Sequence, residues 1–149
     1  MNIKQYLDST YLKTAEQANL TETENTKIAE QFIQEAIDED FKLIMIRPEH
    51  VKMADEMIIK QKSKVVVGTV IDFPNGNSEL ESKLEQAQNA IDDHADELDF
   101  VINYEAFKNG ETGLIKKEII ACTKLGLSNK KTIKFIIEER RKRLISSGF

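Results

Sequence analysis

Ala95-Asp96-Glu97-Leu98-Asp99-Phe100-Val101-Ile102-Asn103 decides how this chain is read. Its period of two predicts a β-strand with Leu98, Phe100 and Ile102 on one face and Asp99, Val101 and Asn103 on the other. An ionised carboxylate is costly to bury in such an apolar run unless it is paired. Asp99 therefore either faces a polar cavity or has a partner. The next strand-like stretch, Thr132-Ile133-Lys134-Phe135-Ile136-Ile137-Glu138, offers a candidate. Ile133, Phe135 and Ile137 form its apolar face, and Lys134 and Glu138 lie on the other. Two strands thus present acid and amine on faces that can meet.

Outward from this pair, strand-like and helix-like segments alternate. Strands are expected at 6–10, 41–46, 65–71 and 133–137. Helices are expected at 21–37, with an apolar stripe of Ile28, Ala29, Phe32, Ile33 and Ala36, and at 48–60, with proline in the first turn. Two more are expected at 78–92, where Ser78 and Glu81 fit a capping box, and at 114–124, stopped near Gly126. Repeated βα units predict an α/β fold with a parallel sheet and right-handed crossovers. No glycine-rich loop follows the first strand, as an open nucleotide-binding sheet would want. Polar residues recur along the strands: Asp8 and Thr10, Met45 and Arg47, Thr69, Asp99 and Asn103, Lys134 and Glu138. That pattern suits strands lining a barrel with chemistry at one mouth.

Composition bounds the function. The 149 residues are 40% apolar and 32% charged, with a formal net charge of −5, which argues against nucleic acid or an anionic membrane as partner. No apolar run is long enough to span a bilayer, and the N-terminus has no signal-peptide core. The single cysteine, Cys122, excludes an internal disulfide, fits a reducing cytoplasmic setting and reads as an inert packing residue. The only histidines, His50 and His94, sit in polar, helix-like surroundings and read as exposed, and no clustered ligands suggest a metal site. Residues 1–138 carry a formal charge of −8, whereas 139–149, which include Arg140-Arg141-Lys142-Arg143, carry +3. The expected organisation is one domain over 1–138 and an atypical basic tail over 139–149.

Four stretches, in order, carry a resemblance. Leu7-Asp8-Ser9-Thr10-Tyr11-Leu12, Val70-Ile71-Asp72-Phe73-Pro74-Asn75-Gly76, Ala95 to Asn103, and Ile133-Lys134-Phe135-Ile136-Ile137-Glu138 resemble the D-x-T-x-L, F-P-x-G, A-D-E-I-D-x-V-x-N and L-K-V-I-I-E signatures of deoxyribose-phosphate aldolases. The resemblance implies a TIM-barrel-type (β/α) fold, here incomplete, with about five of eight strands. It implies a carbon–carbon lyase that forms a Schiff base between a lysine and an aldehyde, without metal or organic cofactor. The reaction it implies is reversible cleavage of 2-deoxyribose 5-phosphate to acetaldehyde and glyceraldehyde 3-phosphate, in deoxyribonucleotide catabolism. Carried over by motif, Asp99 resembles the carboxylate that assists proton transfer, and Lys134 the fifth-strand lysine of the site. Asp8, Thr10, Asn103 and Glu138 are the expected substrate-binding residues, for a small phosphorylated sugar or aldehyde.

The family's nucleophilic lysine lies on strand six, in a motif like F-x-K-T-S-T-G. The last residues here, Leu144-Ile145-Ser146-Ser147-Gly148-Phe149, echo that motif without a lysine. Lys134 as nucleophile would need a lowered pKa, and neighbouring acids instead hold it protonated. The expectation is therefore an aldolase-like chain impaired by itself. The alternative is a non-catalytic partial barrel that persists as a homo-oligomer by covering its open edges.

Overall fold

The computed structural model describes residues 3–137. Glu138 and the basic tail over 139–149 lie outside the described residues. Five strands, β1 (Asp8–Tyr11), β2 (Leu43–Ile46), β3 (Val66–Ile71), β4 (Glu97–Val101) and β5 (Thr132–Ile136), form one parallel sheet in sequential order. Sequential order with parallel pairing is the winding of a (β/α) barrel, not of a sheet whose strand order reverses. Among the described residues, β1 and β5 are the outer strands of this sheet.

The helices between strands are α1 (Ala15–Ala18) and α2 (Glu22–Asp38), α3 (Val51–Gln61), α4 (Leu80–Asp92), then α5 (Tyr104–Lys108) and α6 (Thr112–Ser128). They cover one sheet face. Their core joins Ile33, Ala36, Ala54, Ile58, Ala87 and Cys122 to Ile44, Ile46, Val67, Leu98 and Phe100 of the strands. The opposite face holds a smaller apolar cluster, Leu43, Met45 and Val70, with Leu12, Phe73 and Ile136 against it. β-strand alternation thus divides two kinds of surface, and Glu97, Asp99 and Lys134 fall on the helix-free face.

Several local expectations are corrected. Thr14 and Thr21 make full capping boxes with Gln17 and Glu24, but the expected Ser78–Glu81 box does not form. Ser78 instead donates its N–H and hydroxyl to the Asp72 carboxylate at 2.9 and 2.6 Å, and α4 begins at Leu80 without a side-chain cap. Gly126 does not end α6. A β-carbon there would lie 1.9 Å from Ile133 Cδ1, so the glycine is what lets the helix sit tightly on β5. Thr69 does not line the helix-free face. It is fully buried and donates to the Ile46 carbonyl at 2.8 Å. The segment 48–60 starts as a 3-10 turn, Pro48–His50, and His50 is buried, not exposed, because that turn folds its ring inward. His94 is exposed and meets Asp55, and Cys122 is fully buried as expected.

Candidate active site

β4 and β5 pair so that Asp99 lies opposite Lys134 and Glu97 opposite Thr132. The sequence expectation that Asp99 and Lys134 share one region therefore holds at the level of register. The ion pair itself is different. Lys134 Nζ donates to Glu97 Oε1 at 2.6 Å, while Asp99 Oδ1 is buried with no hydrogen-bond partner among the described residues. Glu97 is the residue that sequence reading missed. It lies two positions before Asp99, so the same alternation places both acids on one face, and a third signal was available in that spacing.

The electrostatics follow from this packing. Burial pushes the Asp99 carboxyl up to about 6, the Glu97 carboxylate beside it pushes the same way, and Lys134 opposes both. The hydrogen bond to Glu97 holds Lys134 above its ordinary value; burial opposes it, and the charges of Glu97, Asp99 and Asp8 add to the rise. Lys134 is thus a firmly protonated cation, with its side chain 48% exposed, and Asp99 is a carboxyl poised to exchange a proton near neutrality.

Asp8 and Thr10 stand on β1, exposed, opposite Leu43 and Met45 of β2. Asp8 is near enough to raise the proton affinity of both Asp99 and Lys134. The Asn103 oxygen accepts from Ala106 N–H at 3.0 Å and caps α5, and the residue also lines a cavity with Asn77, Ser78, Leu114 and Lys117. Glu138 lies outside the described residues.

A second ionic cluster stands on the helix side of β4. Lys83 is 1% exposed and donates to the Gly76 and Val101 carbonyls at 2.7 and 2.8 Å. It also pairs with Glu118 and lies 3.4 Å from Asp72. Gly76 has φ of +68° and would meet the Ile102 carbonyl with any β-carbon, so the 72–78 loop is pressed onto the end of β4. The sequence carried a signal for this cluster too. Lys83 interrupts the stripe Leu80, Leu84, Ala87, Ile91 on α4, and Glu118 interrupts Ile115, Cys122, Gly126 on α6. Opposite charges in the buried stripes of two packed helices point to a pair.

Among the described residues, no group of three His, Cys, Asp or Glu side chains could hold a metal ion, and no helix is long and apolar enough to cross a membrane.

No protein-family model matches the chain. Its similarity to individual proteins is extensive. It is 36% identical over 138 residues to a deoxyribose-phosphate aldolase of Thermococcus gammatolerans, covering 93% of this chain and 58% of that protein. It is 39% identical over 138 residues to one of Staphylococcus saprophyticus, covering 93% and 57%. Among solved structures, an aldolase named QR15 superposes with a TM-score of 0.78 at 28% identity over 91% of this chain and 55% of that one. The tetrameric deoxyribose phosphate aldolase of Aeropyrum pernix superposes with a TM-score of 0.76 at 25% identity over 91% and 52%. The chain spans little more than half the length of these relatives. In sequence and in fold, this chain is similar to deoxyribose-phosphate aldolases over little more than half of their length, a stretch that here contains five parallel strands.

Proposed function

We infer that this chain carries the proton-handling part of an aldolase-type site for a small phosphorylated sugar or aldehyde. The reaction is the reversible cleavage of 2-deoxyribose 5-phosphate through a Schiff base, in cytoplasmic deoxyribonucleotide breakdown. One observation carries the reading: a half-buried Asp99 with an unpartnered oxygen and a pKa near 6, flanked by a cation, on the helix-free face of the sheet. A carboxyl in that state can give or take a proton at a reacting carbon, whereas an ordinary exposed aspartate is already ionised at neutral pH. Lys134 serves here as a fixed positive charge that orients Glu97 and an oxygen-rich substrate. Its raised proton affinity opposes a role as the imine-forming amine, which must be neutral to attack. Asp8 and Thr10 border the same space.

The chain by itself is expected to show little or no turnover, because none of its lysines stands in a K-T-S-T-G setting. Two measurements test the reading. Carboxyl NMR should find Asp99 titrating near 6 and shifting when millimolar 2-deoxyribose 5-phosphate is added; no response at Asp99, Lys134, Asp8 or Thr10 overturns it. Borohydride trapping with acetaldehyde, followed by peptide mapping, should leave Lys134 unlabelled. Stoichiometric labelling there, lost in Lys134→Ala and accompanied by turnover, makes Lys134 the nucleophile and overturns its assignment as a fixed cation.

A further inference from the structure

A cavity of about 360 Å³ opens on the helix side of β4, past the carboxyl ends of β3 and β4. Three parts of the chain wall it: the loop that leads into α4, Asn103 after β4, and the first turns of α6. β3 and β4 are inner strands of the sheet. The volume falls within the range of roughly 300–1,000 Å³ typical of small-ligand sites, and the carboxyl ends of parallel strands are where such sites gather. One buried side chain holds the three walls together. Lys83 Nζ donates to the Gly76 carbonyl of the loop at 2.7 Å and to the Val101 carbonyl at the end of β4 at 2.8 Å, and it pairs with Glu118 of α6. The cavity is therefore pre-set from behind by a lysine that does not itself line it.

The side chains left free around the cavity are mostly uncharged, and together they offer donors and acceptors. Asn103 spends its oxygen on the Ala106 N–H, which leaves its two amide N–H donors. The Asn77 carboxamide has no bonded partner among the described residues and offers both a donor and an acceptor. Ser78 gives its hydroxyl proton to Asp72 at 2.6 Å, and its oxygen still accepts. The charges in the lining balance. Glu118 is matched by Lys83, and the exposed Lys117 and Glu79 are opposite in sign. No net field therefore selects an ion. Leu80 and Leu114 supply aliphatic surface between these polar groups. Such a lining matches a ligand whose hydroxyls each donate and accept and whose carbon skeleton presents C–H faces.

We propose that this cavity is a binding site for a small uncharged polyol of monosaccharide size, held by Asn77, Ser78, Asn103 and Lys117. It lies on the face of β4 opposite Asp99 and Lys134, so it stands independently of the chemistry inferred for that face. Because Lys83 already fixes the walls, little ordering of the chain opposes binding. A ligand in the cavity bridges the same three parts that Lys83 joins.

NMR titration of the isotope-labelled 149-residue chain with methyl β-D-ribofuranoside tests this. The probe is a polyol with no free aldehyde and thus no route to an imine, and inorganic phosphate serves as the ionic control. The riboside should shift the amide signals of Asn77, Asn103 and Leu114 with a dissociation constant on the order of 1 mM. Asp99 and Lys134 should not respond, and phosphate at the same concentrations should leave the cavity signals in place. Asn77→Ala and Lys117→Met, both at exposed positions without hydrogen bonds among the described residues, should each weaken binding about threefold or more while Tm stays unchanged. Four results overturn the proposal: no shift at about 50 mM riboside, shifts confined to residues outside the cavity, phosphate moving the same signals as strongly, or both variants binding as well as the parent.

Discussion

Two ionic clusters touch β4, one on each face of the sheet. On the helix side, buried Lys83 is surrounded by two backbone carbonyls, Glu118 and Asp72, and Asp72 is in turn bound by Ser78. On the helix-free side, among the described residues, Lys134 has Glu97 alone as a close hydrogen-bond partner, and an Asp99 oxygen is left without one. A buried charge with every donor used is a structural joint, since nothing is left to offer a ligand. A half-open cluster with an acid held partly protonated is suited to chemistry, at the expense of stability. The same residue types therefore divide by satisfaction and by access to water.

Removing the joint should have the largest effect. Lys83→Met leaves Asp72 and Glu118 buried without their cation and frees the Gly76 and Val101 carbonyls. Breaking one partner of a buried pair costs about 3–5 kcal/mol, which for a chain of this size lowers Tm by about 10 °C or more. Thermal denaturation checks this. Adding Glu118→Leu to Lys83→Met should recover part of the loss, because the second change removes an orphaned charge. A Lys83→Met variant as stable as the parent breaks the distinction between the clusters.

The open cluster should respond less in stability and more in titration. Lys134→Met leaves the buried Glu97 without its donor and should cost about 1–2 kcal/mol. It should also move Asp99 above its pKa of about 6, since Lys134 is the charge that lowers it. Glu97→Gln should move Asp99 the opposite way, because Glu97 raises it. Carboxyl NMR of the two variants reads both signs. A common direction, or no change, means that the three residues do not form one cluster.

Much of this was legible in the sequence, and what was not has physical reasons. The alternation in 95–103 and 132–138 placed Asp99 and Lys134 on one face, because strand parity is a local property. Parallel order followed from repeated βα units. The pairing of Lys134 with Glu97 was not legible, since it depends on how the long lysine side chain lies across the ladder, which parity leaves open. The Lys83–Glu118 joint joins residues on separate helices, and only a charge within each buried stripe hinted at it. Gly126 misled because a glycine near a helix end usually stops the helix. Its reason lies across the interface, in Ile133. Asn103 was read by motif as a ligand contact, and its second role, capping α5 from the position just before the helix, was not read at all.

The smallest effect is the most diagnostic for Asp99. Its carboxyl has an ordinary value of 3.8 and rises to about 6 in the fold. Between those values the folded chain binds more protons than the unfolded chain, so stability falls as pH rises through this window and stays lowered above it. Asp99→Asn removes the ionisation and with it the loss. Parent and variant should therefore have equal stability near pH 3.5. At pH 8 the variant should be the more stable by on the order of 1 kcal/mol, the full shift being discounted for a carboxyl half open to water. Urea denaturation at the two pH values measures the difference. If the parent is instead the more stable at pH 8, the Asp99 carboxylate has found a partner that holds it ionised. The helix-free cluster is then a second structural joint, and its proton-handling role is lost with the contrast to Lys83.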